Sequence, residues 1–130
     1  REKEISTNRT LLHSFTMGTH TGTHLDAPAH VIQDGKTLDE FPLSSFSGHA
    51  VKVDENSYNR LKQIDGIFNG VIYETGWYKH FYNSNIFYGR KRPIIPQKLI
   101  EVIIGLGIKY FGCDLPSVDT SGSDKKLIHH

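Results

Sequence analysis

Three of the chain's eight histidines and one carboxylate fall in a single short run, His20-Thr21-Gly22-Thr23-His24-Leu25-Asp26-Ala27-Pro28-Ala29-His30. His20, Gly22, His24, Asp26, Pro28 and His30 all carry even numbers, so an extended backbone, whose side chains alternate between faces, would turn them the same way. A helix suits the segment less well. Thr21 and Thr23 are β-branched, Gly22 is costly inside a helix and Pro28 would break one. The run is therefore predicted to be extended, with every ligand-type side chain on one face.

Imidazole nitrogen and carboxylate oxygen together suit Zn, Mn or Fe, whereas an all-oxygen set would favour Mg or Ca and thiolates a structural zinc site. The chain has one cysteine and hence no thiolate pair. Two residues of strand rise by roughly 6.6 Å, which side chains leaning together can span, and Gly22 leaves room for an ion between His20 and His24. Thr23 offers a hydroxyl to orient an imidazole from behind, and Pro28 stiffens the exit. A lone histidine is more often a surface or core residue than a ligand. Four ligand-type residues on one alternation phase, spaced by Gly and Pro, favour a metal site over a polar strand edge.

The run meets every fixed position of H-x-G-T-H-x-D-x-P-x-H, which resembles the signature of the cyclase-like metal-dependent hydrolases, the family of bacterial kynurenine formamidases and isatin hydrolases. Gly48 to Asp54 is similar to that family's next strand, Thr75-Gly76-Trp77 to its TGW turn, and Cys113 to Asp119 to the segment after its last helix. The resemblance implies that His20, His24 and Asp26 are metal ligands, with Asp26 bridging the ions in dinuclear members, and that His30 is the proton-transfer histidine. It also implies a distal ligand opening an H-x-x-L-L pattern, for which His129 is the choice and His130 the runner-up, followed by a glutamate expected beyond His130. One domain over residues 1–130 is expected, incomplete at both ends. Its implied fold is a mixed α/β domain of the swivelling β/β/α type, assembled as a homodimer or larger homo-oligomer.

The elements needed to position these residues are partly legible. Ser14 to Thr19 reads as a strand entering the run, Ala50 to Val53 as a second strand and Gly70 to Glu74 as a buried one. Asn56 to Ile64 has Leu61 and Ile64 at helical spacing before the Asp65-Gly66 turn signal. Trp77 to Arg92 reads as a long loop with aromatic anchors Tyr78, Phe81, Tyr82, Phe87 and Tyr88, which pack it onto the body or form the wall of a pocket. A helix with Pro96 in its first turn and a stripe of Leu99, Ile100, Ile103 and Ile104 stops near Gly105-Leu106-Gly107, and Ile108 to Phe111 follows as a strand.

Composition fits a globular domain: 130 residues, 37% hydrophobic and 22% charged. A net charge of +1 gives no global pull on nucleic acid, and Arg90-Lys91-Arg92 and Lys125-Lys126 are only local basic runs. No apolar stretch approaches the ~20 residues that span a bilayer, and Arg1 to Thr10 is too polar for a secretory signal, so a cytoplasmic location without membrane or nucleic-acid partners is expected. Cys113 cannot form an intrachain disulfide and is expected to be a buried structural thiol.

The chemistry expected is metal-assisted hydrolysis with one or two Zn or Mn ions. A bound divalent ion lowers the pKa of water to about 7 and polarises a carbonyl. His30 would take or deliver the proton that a departing amine needs. The resemblance implies a small-molecule amide or lactam substrate, first among them an N-formyl aromatic amine such as formylkynurenine. The alternatives are a metal-binding module without turnover and a metal-dependent cyclase or dehydratase.

Overall fold

Parallel strands need crossover connections rather than hairpins, and this chain supplies two. The computed structural model describes residues 13–119. Within them β1 (Ala50–Val53), β2 (Gly70–Tyr73) and β3 (Tyr110–Cys113) form one parallel sheet in the order β1-β2-β3. The first crossover holds a 3₁₀ turn at Tyr58–Gln63. The second holds a 3₁₀ turn at Trp77–His80, the short helix α1 (Ser84–Phe87) and the helix α2 (Gln97–Gly105). The class is mixed α/β.

Register explains the core. Val51, Val71 and Phe111 align across the sheet, as do Val53, Tyr73 and Cys113, so both rows face the same side. Against them pack Leu61 from the first crossover and Ile95, Leu99, Val102 and Ile103 from α2 and its approach. Each fully buried aliphatic side chain contributes roughly 1.5–3 kcal/mol of transfer free energy, which makes this the stabilising face. The opposite face carries Ala50, Lys52 and Ile72, all exposed.

Strands β1 and β2 fall where alternation and apolarity predict. Pro96 stands at the N-cap of α2 and Gly107, at φ +64°, follows its end in the left-handed conformation. The buried stripe of α2 is Leu99, Val102 and Ile103, with Ile104 73% exposed, because at 3.6 residues per turn Val102, not Ile104, shares the face of Leu99.

Four expectations are corrected. Residues 14–19 form no strand, since no described segment lies beside them to complete a ladder, and Phe15 points to solvent. Asn56 to Ile64 contains a 3₁₀ turn that buries Leu61 and leaves Ile64 exposed. The aromatic stretch from Trp77 is not one long loop: Asn83 caps α1 by accepting the Ile86 N–H. The last strand begins at Tyr110 rather than Ile108, whose N–H is taken by the Ile103 carbonyl at the end of α2. No helix among the described residues is long and apolar enough to cross a membrane.

Candidate metal centre

The ligand-type run is not a strand. It is an irregular loop, bent at Gly22, where φ is +67°, and closed by a 3₁₀ turn at Pro28–His30. The residues that alternation would align are brought together here by a different backbone. A left-handed glycine and a proline at the first turn position bring together side chains that a strand would have held in a row.

His20, His24 and Asp26 converge. His20 Nδ1 lies 3.0 Å from Asp26 Oδ1 and 3.0 Å from His24 Nε2, and His24 Nε2 lies 3.4 Å from the same carboxylate oxygen. Ligand atoms about 2.0–2.1 Å from a tetrahedral zinc are about 3.3–3.4 Å from each other, close to the sides of this triangle. His30 joins from the 3₁₀ turn, its ring centroid 4.3 Å from that of His20. His20, Asp26 and His30 each present a ligand atom within 4.8 Å of the other two. His129 and His130 lie outside the described residues.

Proton bookkeeping supports a cation at this point. His24 Nδ1 is 2.9 Å from the Gly22 carbonyl, which can only accept, so this nitrogen carries the hydrogen, and in that tautomer Nε2 presents a lone pair. That lone pair faces a carboxylate oxygen and a second imidazole nitrogen. One proton on His20 Nδ1 can serve only one of the two neighbours 3.0 Å away. A divalent ion satisfies all three atoms, so the residues present fit a transition metal. The group that orients His24 from behind is the Gly22 carbonyl, where the sequence had suggested the Thr23 hydroxyl.

The turn carrying His30 has a partner that the sequence reading missed. Ala29 N–H donates to the Lys36 carbonyl at 3.1 Å and Gly35 N–H to the Ile32 carbonyl at 3.0 Å, folding residues 28–36 back on themselves. A Cβ on Gly35 would lie 2.8 Å from the Pro28 carbonyl carbon and 2.9 Å from the Ala29 nitrogen. Asp34, at φ +60°, precedes it. Asp34-Gly35 is a turn signal that could have been read.

A cavity of about 680 Å³ opens beside the histidines. Its far wall is aromatic, with Phe81, Tyr82, Phe87 and Tyr88. Within the stretch Phe87 is buried against the rings of Phe81 and Tyr88, while Tyr82 is almost wholly exposed. The wall is anchored by Asp114, immediately after β3, whose carboxylate accepts from Thr75 N–H (2.9 Å), Thr75 Oγ1 (2.7 Å) and Tyr78 N–H (3.2 Å). Burial pushes the Asp114 pKa up, but these hydrogen bonds outweigh it and hold the carboxyl below its ordinary value. Gly76, at φ +78°, makes the turn between them, and Trp77 Nε1 donates to the Phe87 carbonyl at 3.0 Å. Cys113, expected to be buried, is half-buried and also lines the cavity, with its thiol pushed up chiefly by burial and so protonated at neutral pH.

Comparison with known proteins agrees with the motif. The chain is 35% identical to the kynurenine formamidase of Salinibacter ruber over 140 aligned residues, covering 99% of this chain and 61% of the relative. It is 31% identical to that of Geobacillus thermodenitrificans, covering 89% of this chain and 56% of the relative, and 32% identical to that of Bacillus cytotoxicus, covering 88% and 56%. The chain therefore spans somewhat more than half the length of these curated relatives. A family model described as "Putative cyclase" matches residues 2–120, nearly the whole chain, and the chain belongs to this cyclase family.

Proposed function

We propose that the protein is a metal-dependent amide hydrolase of the arylformamidase type, acting on an N-formyl aromatic amine such as N-formylkynurenine. The observation that carries this reading is the triangle of His20 Nδ1, His24 Nε2 and Asp26 Oδ1, with sides of 3.0, 3.0 and 3.4 Å, at the mouth of an aromatic-walled cavity. His20, His24 and Asp26 would hold one or two Zn or Mn ions, with His129 as a further ligand. When bound, such an ion makes hydroxide available near neutral pH and polarises the amide carbonyl. The chain's own residues supply the rest. The aromatic wall takes the aryl group, the Asp114-held turn fixes that wall, and His30 delivers a proton to the departing nitrogen. The C–N bond breaks, the elements of water are added, and formate and an aryl amine leave. Assembly as a homodimer or larger oligomer and a cytoplasmic location belong to the same proposal.

The test is an assay of the metal-loaded protein on N-formylkynurenine in ¹⁸O-water. Release of the aryl amine with label in formate is expected. A cyclase or dehydratase would leave water's oxygen out of the product, and a metal-binding module would bind the ion with no turnover.

A further inference from the structure

The aromatic wall and the histidines account for two sides of the cavity. A third is charged. Lys52, on the exposed face of β1, and Glu74, one residue past β2, both line the cavity, with Lys52 Nζ 2.7 Å from Glu74 Oε2. Lys52 is the one lysine or arginine among the described residues that line it. The sheet fixes the pair: Lys52 is in register with Ile72, so Glu74 lies two residues further along the neighbouring strand. The two side chains meet across a parallel ladder rather than through a flexible loop.

The pair has little structural work to do. The lysine is 66% exposed, so solvent screens the ion pair and it adds little to the fold. Its binding capacity is larger. An ammonium has three donors, of which Glu74 takes one, and a carboxylate has about four lone-pair sites. A ligand bearing both an anionic and a cationic group on neighbouring atoms can therefore add to the pair without breaking it, its carboxylate on Lys52 and its ammonium on Glu74. The hydrogen bond to Glu74 also raises the Lys52 pKa, keeping the lysine charged.

We infer that Lys52 and Glu74 form a specificity site for the zwitterionic α-amino-acid headgroup of an aryl-amide substrate whose ring lies against Phe81, Tyr82 and Tyr88. This deepens the function proposed above and rests on it for the identity of the aryl group. Asp114, the other carboxylate among the described residues that line the cavity, is committed to Thr75 and Tyr78 and leaves the headgroup to Glu74.

The experiment measures binding, so it does not depend on turnover. L-kynurenine, which has the headgroup, and 2-aminoacetophenone, which has the ring without it, are titrated into the metal-loaded full chain by calorimetry. The same titrations are run on Lys52→Met, Glu74→Gln and the charge-swapped double variant, each checked for fold by circular dichroism. The wild type is expected to prefer L-kynurenine by about 10–100-fold, with either single variant cutting that ratio by about tenfold, as loss of one charge-assisted hydrogen bond would. A ratio near one in the wild type, or one left intact by both single variants, overturns the inference. Such a result alongside formamide hydrolysis would leave the proposed function standing. A headgroup preference lost in the variants, in a protein that hydrolyses no formamide, would overturn the function and keep the site.

Discussion

Asp26 is shared by two of the loop's three imidazoles, its Oδ1 within 3.4 Å of His20 and His24. Asp26→Asn replaces a charged oxygen by a neutral amide, so bound metal, measured by elemental analysis, should fall sharply. Unchanged metal content would remove Asp26 from the site. His30 sits close enough to His20 and Asp26 to be a ligand or a proton carrier. As a proton carrier, His30→Ala keeps near-normal metal and loses about 10²–10⁴-fold in turnover; joint loss of metal and activity makes it a ligand. Asp114 is the third residue whose removal has a defined consequence. Asp114→Ala strips an acceptor from two backbone N–H groups and a hydroxyl, at a cost of about 1–3 kcal/mol in a denaturant titration. Because its folded pKa lies below the unfolded value of about 3.9, its charge stabilises the fold above that value and the contribution is lost as pH falls through the folded pKa. The stability gap between wild type and Asp114→Asn should thus be constant from neutral pH down to about 5 and close at lower pH.

The elements that carry these residues differ in how far the sequence reveals them. Strands β1 and β2 and helix α2 obey single local rules: a short apolar run, or Leu99 and Ile103 one helical turn apart behind Pro96. The site loop obeys no period. His20, His24, Asp26 and His30 were recognisable by type and spacing, but their convergence depends on Gly22 in the left-handed region and on a turn at Pro28, which alternation cannot express. Start and end points also escaped where tertiary contacts decide them, as when Asn69 and Ile103 take the N–H groups just before β3. Gly35 illustrates what a local reading loses, since its importance lies in the backbone folded against it. Gly35→Ala should force Pro28 and Ala29 aside, at about 1–3 kcal/mol of overpacking. Turnover is expected to fall more than the melting temperature implies, because the displaced turn carries His30. A variant that melts lower and yet turns over normally would show that the turn tolerates the shift.

In the molecule as a whole, the buried core and the proposed metal ligands His20, His24 and Asp26 occupy different parts of the chain. Every buried residue described lies between Val53 and Ile103, and the loop and turns of residues 13–49 contribute none. This division decides how a metal should act on stability. An ion held only by His20, His24, Asp26 and His30 has all its ligands in one short segment, which an unfolded chain can also offer, and binding to the unfolded state weakens the linkage. An ion held also by His129 closes a long loop that only the folded chain closes, and the full linkage applies, about 2.7 kcal/mol at a free metal concentration of 100 Kd. With His129 as a ligand, metal should raise the melting temperature of the wild type by several degrees and slow amide exchange in residues 18–36. His129→Ala should lose most of the thermal shift while keeping the slowed exchange, because the local ligands still gather the loop. Equal thermal shifts in the two proteins, compared at the same multiple of each one's Kd, would take His129 out of the metal site and leave the ligand set local.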